Sequence, residues 1–187
     1  EGDLKRLLED LNAQSEPDLH LAVSVRSYRA ESLASYVAAV INGHSADARD
    51  QLSSIPKYPI FITRDLGKAR NWLRQKSRGS ERYGLIASSN GLRLRPSGIH
   101  VKAGIDPPLW FLNGKDDVRS SYSLEEVATE FDVQGLELDW AGVCWDANFR
   151  WVRDHWHALE FSGTRWQNIH GADKLRYGLH PVRMTLG

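Results

Sequence analysis

The densest group of chemistry-bearing side chains lies between Ser123 and Trp145, in SLEEVATEFDVQGLELDWAGVCW. Thr129, Gln134, Glu137 and Asp139 place a hydroxyl, an amide and two carboxylates around Gly135, and a glycine there lets a ligand approach the backbone closely. A well-formed turn with solvated acids uses the same residues and is the alternative. Asp154, His155 and His157 form a second set, with both imidazoles on one face of a strand. No further ligand pair at helical or strand spacing joins them, so surface histidines are the simpler account and no metal is expected. Cys144, the one cysteine, falls in an apolar run rather than an electropositive pocket, which argues against a nucleophile. Trp140, Trp145, Trp151, Trp156 and Trp166 have the rings for stacking on bases. Clustered tryptophans also serve as core and rim of a hairpin.

Positioning these groups requires a regular scaffold. Ser123 followed by Glu126 reads as a capping box, so a short helix is expected to open there. Leu138 to Cys144 reads as a buried strand. Earlier in the chain, Leu4, Leu7, Leu8 and Leu11 keep helical spacing, and Leu19, Leu21, Val23 and Val25 alternate as in a strand. Leu33, Tyr36, Val37, Val40 and Ile41 return to helical period until Asn42-Gly43, with a shorter helix at Ala46 to Leu52. Tyr58 to Thr63 reads as a strand, Asp65 as the cap of a helix carrying Leu66, Ala69 and Leu73, and Tyr83 to Ala87 as a strand. Ser88 to Pro107 has no period and reads as a long loop. Trp110-Phe111-Leu112 reads as a short strand or an anchor, and Phe149 to Phe161 as a hairpin. Strands alternating with helices imply an α/β fold with a mainly parallel sheet covered on both faces. Ligands bind such sheets at the carboxyl ends of strands, here Arg26 to Arg29, Thr63 to Asp65, Ser88-Ser89 and the Gln134-Gly135 turn.

The 187 residues suit one domain, expected to span residues 1–187. A single cysteine gives no disulfide framework, and no stretch has the length of a membrane span or the look of a signal peptide, so a cytoplasmic protein is expected. Zero net charge argues against nucleic-acid binding through an overall positive field. The distribution is less even: Arg64 to Lys102 is basic, opposed only by Asp65 and Glu81, and Lys115 to Asp146 is acidic. Solvated faces explain such blocks, and so does one wall of a phosphate-binding groove.

Several separated stretches carry a resemblance. SYRAESLASYVAAVING (Ser27 to Gly43) resembles the fourth motif of superfamily-one helicases, and TEFDVQGLELD (Thr129 to Asp139) resembles their fifth. With YPIFITRDLGKARNWL, LIASSNGLRLR, DDVRSSYSLEEVATEFDVQGLELDWAGVCWD and GTRWQNI, nearly the whole chain is similar to the Schlafen-group helicase-like domain. The resemblance implies the second, C-terminal RecA-like lobe of a P-loop NTPase, to which the residues themselves add the small Trp-rich hairpin. It implies that Arg29 reaches the ATP γ-phosphate and that Gln134, Gly135 and Glu137 lie near the ribose, the phosphates and the cleft between lobes. Thr63, Arg64, Ser88 and Ser89 would then face the nucleic-acid backbone.

Two departures limit these expectations. No G-x-x-x-x-G-K-S or -T phosphate loop occurs in the sequence, so ATP and magnesium are expected only together with a first lobe on this or another chain. The sixth motif's Tyr-Arg-Val-Leu-Leu-Thr-Arg-Ala pattern is not matched by LRYGLHPVRMTLG, so the domain is expected to be truncated before it and inactive as an ATPase alone. Single-stranded DNA or RNA is the expected partner, and no membrane. A protein-interaction module built on the basic block and the tryptophans is the competing function, and a metal-dependent hydrolase using His155, His157 and Asp154 is the third.

Overall fold

The computed structural model describes residues 28–54 and 59–169. The expected helix at Leu4 to Leu11, the strand at Leu19 to Val25, Arg26 and the residues from 170 onward lie outside them.

The scaffold of interest is a parallel sheet of β1 (Tyr83–Ala87), β2 (Val127–Thr129) and β3 (Trp140–Cys144), in the order β2-β1-β3. In register, Leu85 faces Val127 on one side and Gly142 on the other, and Ala87 faces Thr129 and Cys144. All three strands therefore end at one level, which brings Ser88, Glu130 and Trp145 to the same edge. Every residue of β1 is buried, as expected of a central strand covered on both faces.

Residue alternation sorts the core into two layers. Tyr83, Leu85 and Ala87 pack with Leu73, Ile99, Val101, Tyr122, Leu124 and Val127. Ile86 and Ala128 pack on the other face against Trp110, with Val133, Leu138 and Val143 around them. The first layer is roofed by α3 (Leu66–Lys76), capped by Asp65, whose carboxylate accepts from the Lys68 N–H at 3.0 Å. The second layer is roofed by α4 (Pro107–Leu112), whose Trp110 is fully buried. Two glycines permit this closeness. A Cβ on Gly84 would lie 2.6 Å from the Trp110 ring, and one on Gly142 would lie 2.7 Å from Leu85 and 2.9 Å from Leu73. Along α3, Trp72 meets Trp140 at the start of β3 with ring centroids 5.6 Å apart, and Leu73 lies against Gly142.

A separate antiparallel meander comprises β4 (Phe149–Val152), β5 (His155–Ser162) and β6 (Arg165–Asn168). It meets the helical hairpin of α1 (Tyr28–Ile41) and α2 (Ser45–Ser54). There the Trp156 indole N–H donates to Val40 O at 2.8 Å, a carbonyl in the last turn of α1 that also accepts from the Gly43 N–H at 3.1 Å.

The expected mixed architecture with a parallel sheet is present, and four local expectations are corrected. No helix opens at Ser123: residues Ser121–Ser123 form one 3-10 turn, Leu124 turns left-handed at φ 61°, and Val127–Thr129 pair with β1. Ser123 Oγ accepts only from the Glu125 N–H, and strand pairing by β-branched residues overrides the local capping signal. Residues 59–63 form no strand; Ile62 is 86% exposed and Phe61 stacks on Trp72. The Ser88 to Pro107 segment is not a structureless loop, because it contains a 3-10 helix at Leu92–Ser97 and sends Ile99 and Val101 into the core. The aromatic hairpin has a third strand.

Candidate functional site

The carboxyl edge of the parallel sheet gathers polar groups from all three strands. Beyond β1 the chain makes a tight turn, with the Gly91 N–H donating to Ser88 O at 2.7 Å and the Asn90 N–H to Ser88 Oγ at 3.3 Å. Beyond β2 stands Glu130, only 2% exposed. Its Oε2 accepts from the Ser89 N–H at 2.7 Å and its Oε1 from the Ser89 hydroxyl at 2.8 Å. A buried carboxylate with charge-assisted bonds this short is well compensated. Thr129 turns the other way: its N–H and its hydroxyl both donate to Asp132 Oδ2 at 2.7 Å, closing the bend that leaves the strand. Beyond β3 lies Asp146, 7% exposed, accepting from the Ala147 N–H at 2.6 Å and from the Arg93 N–H at 3.4 Å. Arg93 itself lies over the Phe161 ring of the meander, 4.6 Å from its centroid.

The expected site residues are distributed as follows. Ser88 and Ser89 occupy the centre of this edge. Thr63 and Arg64 precede the start of α3, where Thr63 Oγ1 accepts from the Asp65 N–H at 3.1 Å and keeps its own proton to donate. Gln134, Gly135 and Glu137 lie on the crossover from the end of β2 to the start of β3. That crossover passes over the Trp110 face, where Val133 and Leu138 anchor it. Gln134 and Gly135 are exposed, and at Gly135, with φ 81°, nothing lies within 4 Å of an added Cβ. The backbone at that corner is open to a ligand. Arg29 falls in the first turn of α1, and its side chain is not among those described. Asp139 is taken by the fold: its Oδ2 accepts from the Arg82 N–H at 2.6 Å.

Glu130, Asp132, Asp146 and Arg93 were not singled out by sequence reasoning. The available signal was Glu-Phe-Asp directly after Val127-Ala128-Thr129, which becomes informative once that triplet is recognised as a strand. Of the tryptophans, Trp140 donates its indole N–H to Glu81 Oε2 at 2.9 Å and Trp156 is tied to Val40, so both are structural. Trp145 and Trp151 keep exposed faces.

Burial pushes the Cys144 thiol up to about 11, with the Arg70 guanidinium working weakly against it. Such a thiol is a poor nucleophile at neutral pH. His155 and His157 share a face with ring centroids 4.2 Å apart, and His155 Nδ1 meets Asp154 Oδ1 at 2.7 Å. Among the described residues no three His, Cys, Asp or Glu side chains are grouped to hold a metal ion, and no helix is long and apolar enough to cross a membrane.

Comparison with known proteins gives one match. The family model described as Schlafen group 3, DNA/RNA helicase domain, matches residues 1–178. No curated protein and no solved structure matches the chain.

Proposed function

Since the chain belongs to the Schlafen group 3 DNA/RNA helicase domain family, we propose that it acts as the second, RecA-like lobe of a superfamily-one helicase-like ATPase. In this role it does not hold the nucleotide alone. Arg29, Gln134, Gly135 and Glu137 reach ATP and magnesium bound mainly by a first lobe. Thr63, Arg64 and the turn that carries Ser88 and Ser89 face the backbone of single-stranded DNA or RNA.

The observation that carries the reading is the family match across the two motif-bearing stretches, Ser27 to Gly43 and Thr129 to Asp139. The geometry supports it in two respects. The Gln134-Gly135 corner is exposed and nothing lies within 4 Å of a Cβ added at Gly135, which suits a nucleotide's edge and not a full enclosure. The level strand ends deliver a serine turn to the edge at which parallel sheets bind ligands. Phosphoryl transfer asks a protein mainly to position groups and neutralise charge, and an arginine brought from a neighbouring lobe is suited to that. Magnesium supplies charge neutralisation between the phosphates when bound. This chain's part is to orient the guanidinium and to exclude water as the lobes close.

The test is ATP turnover by the purified chain, alone and with a first lobe carrying a phosphate loop. Turnover only in the mixture supports the reading. Robust turnover by the chain alone overturns it. A protein-interaction module remains the second reading, favoured by the exposed Ile60, Phe61 and Ile62 run. Binding to an unpaired oligonucleotide that weakens steeply with salt separates the two.

A further inference from the structure

We propose that Glu130 is a positioning residue that fixes the Ser88–Gly91 turn so that Ser88, and not Ser89, offers its hydroxyl to the phosphodiester backbone of a single strand. The proposal rests on the nucleic-acid part of the reading above and deepens it.

Donor accounting leads there. Ser89 has two donors, its N–H and its hydroxyl, and both are spent on Glu130, at 2.7 and 2.8 Å. A phosphate at Ser89 would have to displace a buried carboxylate and then sit beside that carboxylate's negative charge. Both steps are unfavourable. Ser88 differs in each respect. Its Oγ accepts from the Asn90 N–H at 3.3 Å, which uses a lone pair and leaves the hydroxyl proton free to donate outward. Ser88 and Ser89 are both half-buried, so the free donor of Ser88, and not its exposure, sets it apart.

The turn is held from several sides. The Gly91 N–H donates to Ser88 O at 2.7 Å and the Leu92 N–H to Asn90 O at 2.8 Å. A Cβ on Gly91 would lie 3.0 Å from Ser88 O, so little room is left for another conformation. Glu130 adds a polar tie from beyond the neighbouring strand, since it follows Thr129, the last residue of β2. The chain continues from it through the Thr129–Asp132 bend to the Gln134-Gly135 corner. The carboxylate therefore connects the serine turn to the segment that leads to the proposed nucleotide-facing residues.

Two readouts on the full chain test this: amide hydrogen exchange at Ser89, and fluorescence anisotropy with a labelled oligo-dT strand across a salt series. Glu130→Gln keeps an acceptor for the Ser89 N–H, so slow exchange and affinity within about twofold of wild type are expected. Glu130→Ala should release the Ser89 amide and weaken oligonucleotide binding about fivefold to tenfold, the worth of one polar contact. Its salt slope should not change, because no charge that meets phosphate has been removed. Ser88→Ala should weaken binding by a similar factor without altering exchange at Ser89. Ser89→Ala should have little further effect in the Glu130→Ala background.

Fast exchange at Ser89 in the wild-type chain overturns the positioning role whatever the ligand. Ser89→Ala weakening binding as much as Ser88→Ala, equally with and without Glu130, overturns the assignment of the donor. A wild-type chain with a protected Ser89 amide and no affinity for oligo-dT overturns the nucleic-acid reading, and the role of Ser88 with it. Glu130→Gln and Ser89→Ala, which are near-isosteric or small, keep the test decisive if Glu130→Ala fails to fold.

Discussion

Replacing Gly84 by alanine tests whether the central strand is held as closely under α4 as the structure shows. The added methyl would lie 2.6 Å from Trp110 Cζ2, 2.7 Å from Cη2 and 3.2 Å from Ser121 Cβ. Comfortable carbon contacts fall at about 3.5–4.0 Å, so the indole would have to retreat by roughly 1 Å. It has nowhere to go: Trp110 is fully buried between Ile86 and Ala128, and its indole N–H points to Glu126 O at 3.4 Å. Overpacking of this sort costs about 1–3 kcal/mol, and a rigid bicyclic ring puts the value at about 2 kcal/mol or above. At about 2–4 °C per kcal/mol for a domain of this size, Tm should fall by about 4–8 °C. Urea denaturation should show a lower midpoint with an unchanged slope. Gly114→Ala is the control, because nothing lies within 4 Å of its added Cβ. It should be neutral or gain up to about 1 kcal/mol through the unfolded state. A Gly84→Ala protein within about 0.5 kcal/mol of wild type would refute the close approach of β1 and α4.

Further outcomes follow from other parts of the fold. Removing the cap with Asp65→Ala should cost about 1 kcal/mol, read as a lowered denaturation midpoint, and Asp65→Asn should restore most of it. Alkylation of Cys144 in the folded chain at pH 8 should run about a hundredfold or more slower than that of a free thiol, since a thiol near 11 is seldom ionised there. The same raised thiol loses stability with alkali. Between about pH 9 and 11 the unfolded chain releases a proton the folded chain keeps, so ΔG should decline through that window in wild type and less in Cys144→Ala. At the acid end, the Trp140 indole N–H holds the Glu81 carboxyl below its usual range, with the Arg78 N–H adding to the effect. Its contribution is present above the ordinary value of 4.5 and lost as pH falls through the lowered one. Tryptophan fluorescence on acid titration should show this transition in wild type, and Glu81→Gln should weaken it.

The elements that could be read from sequence are those decided by local pattern. Asp65 before Leu66, Ala69 and Leu73 marks a helix start, and the structure has that cap and that face. Tyr83 to Ala87, a short apolar run between polar turns, is the central strand with the expected bounds. Asn42-Gly43 ends α1 because Gly43 adopts φ 77°. The elements that could not be read are those decided by partners remote in sequence. Val127–Thr129 is only three residues long, and it is a strand because Leu85 to Ala87 lies beside it. The local Ser123–Glu126 signal pointed to a helix and was overruled by that pairing. Conversely, residues 59–63 read as a short apolar strand but meet no strand among the described residues. Ser88 and Ser89 were recognisable as a strand end. Glu130, which governs them, was hidden because a lone acid gives no sign of burial until the sheet order is known. Arg29 is placed in helix α1 at the level of the backbone alone.

The central claim, that this chain completes a nucleotide site begun by another lobe, is tested most directly by ATP hydrolysis in a mixture of the chain with a phosphate-loop-bearing first lobe. The account predicts turnover that requires both components and falls about a thousandfold or more with Arg29→Ala, the scale of a lost arginine in phosphoryl transfer. Turnover by the chain alone, or a mixture indifferent to Arg29→Ala, would contradict it.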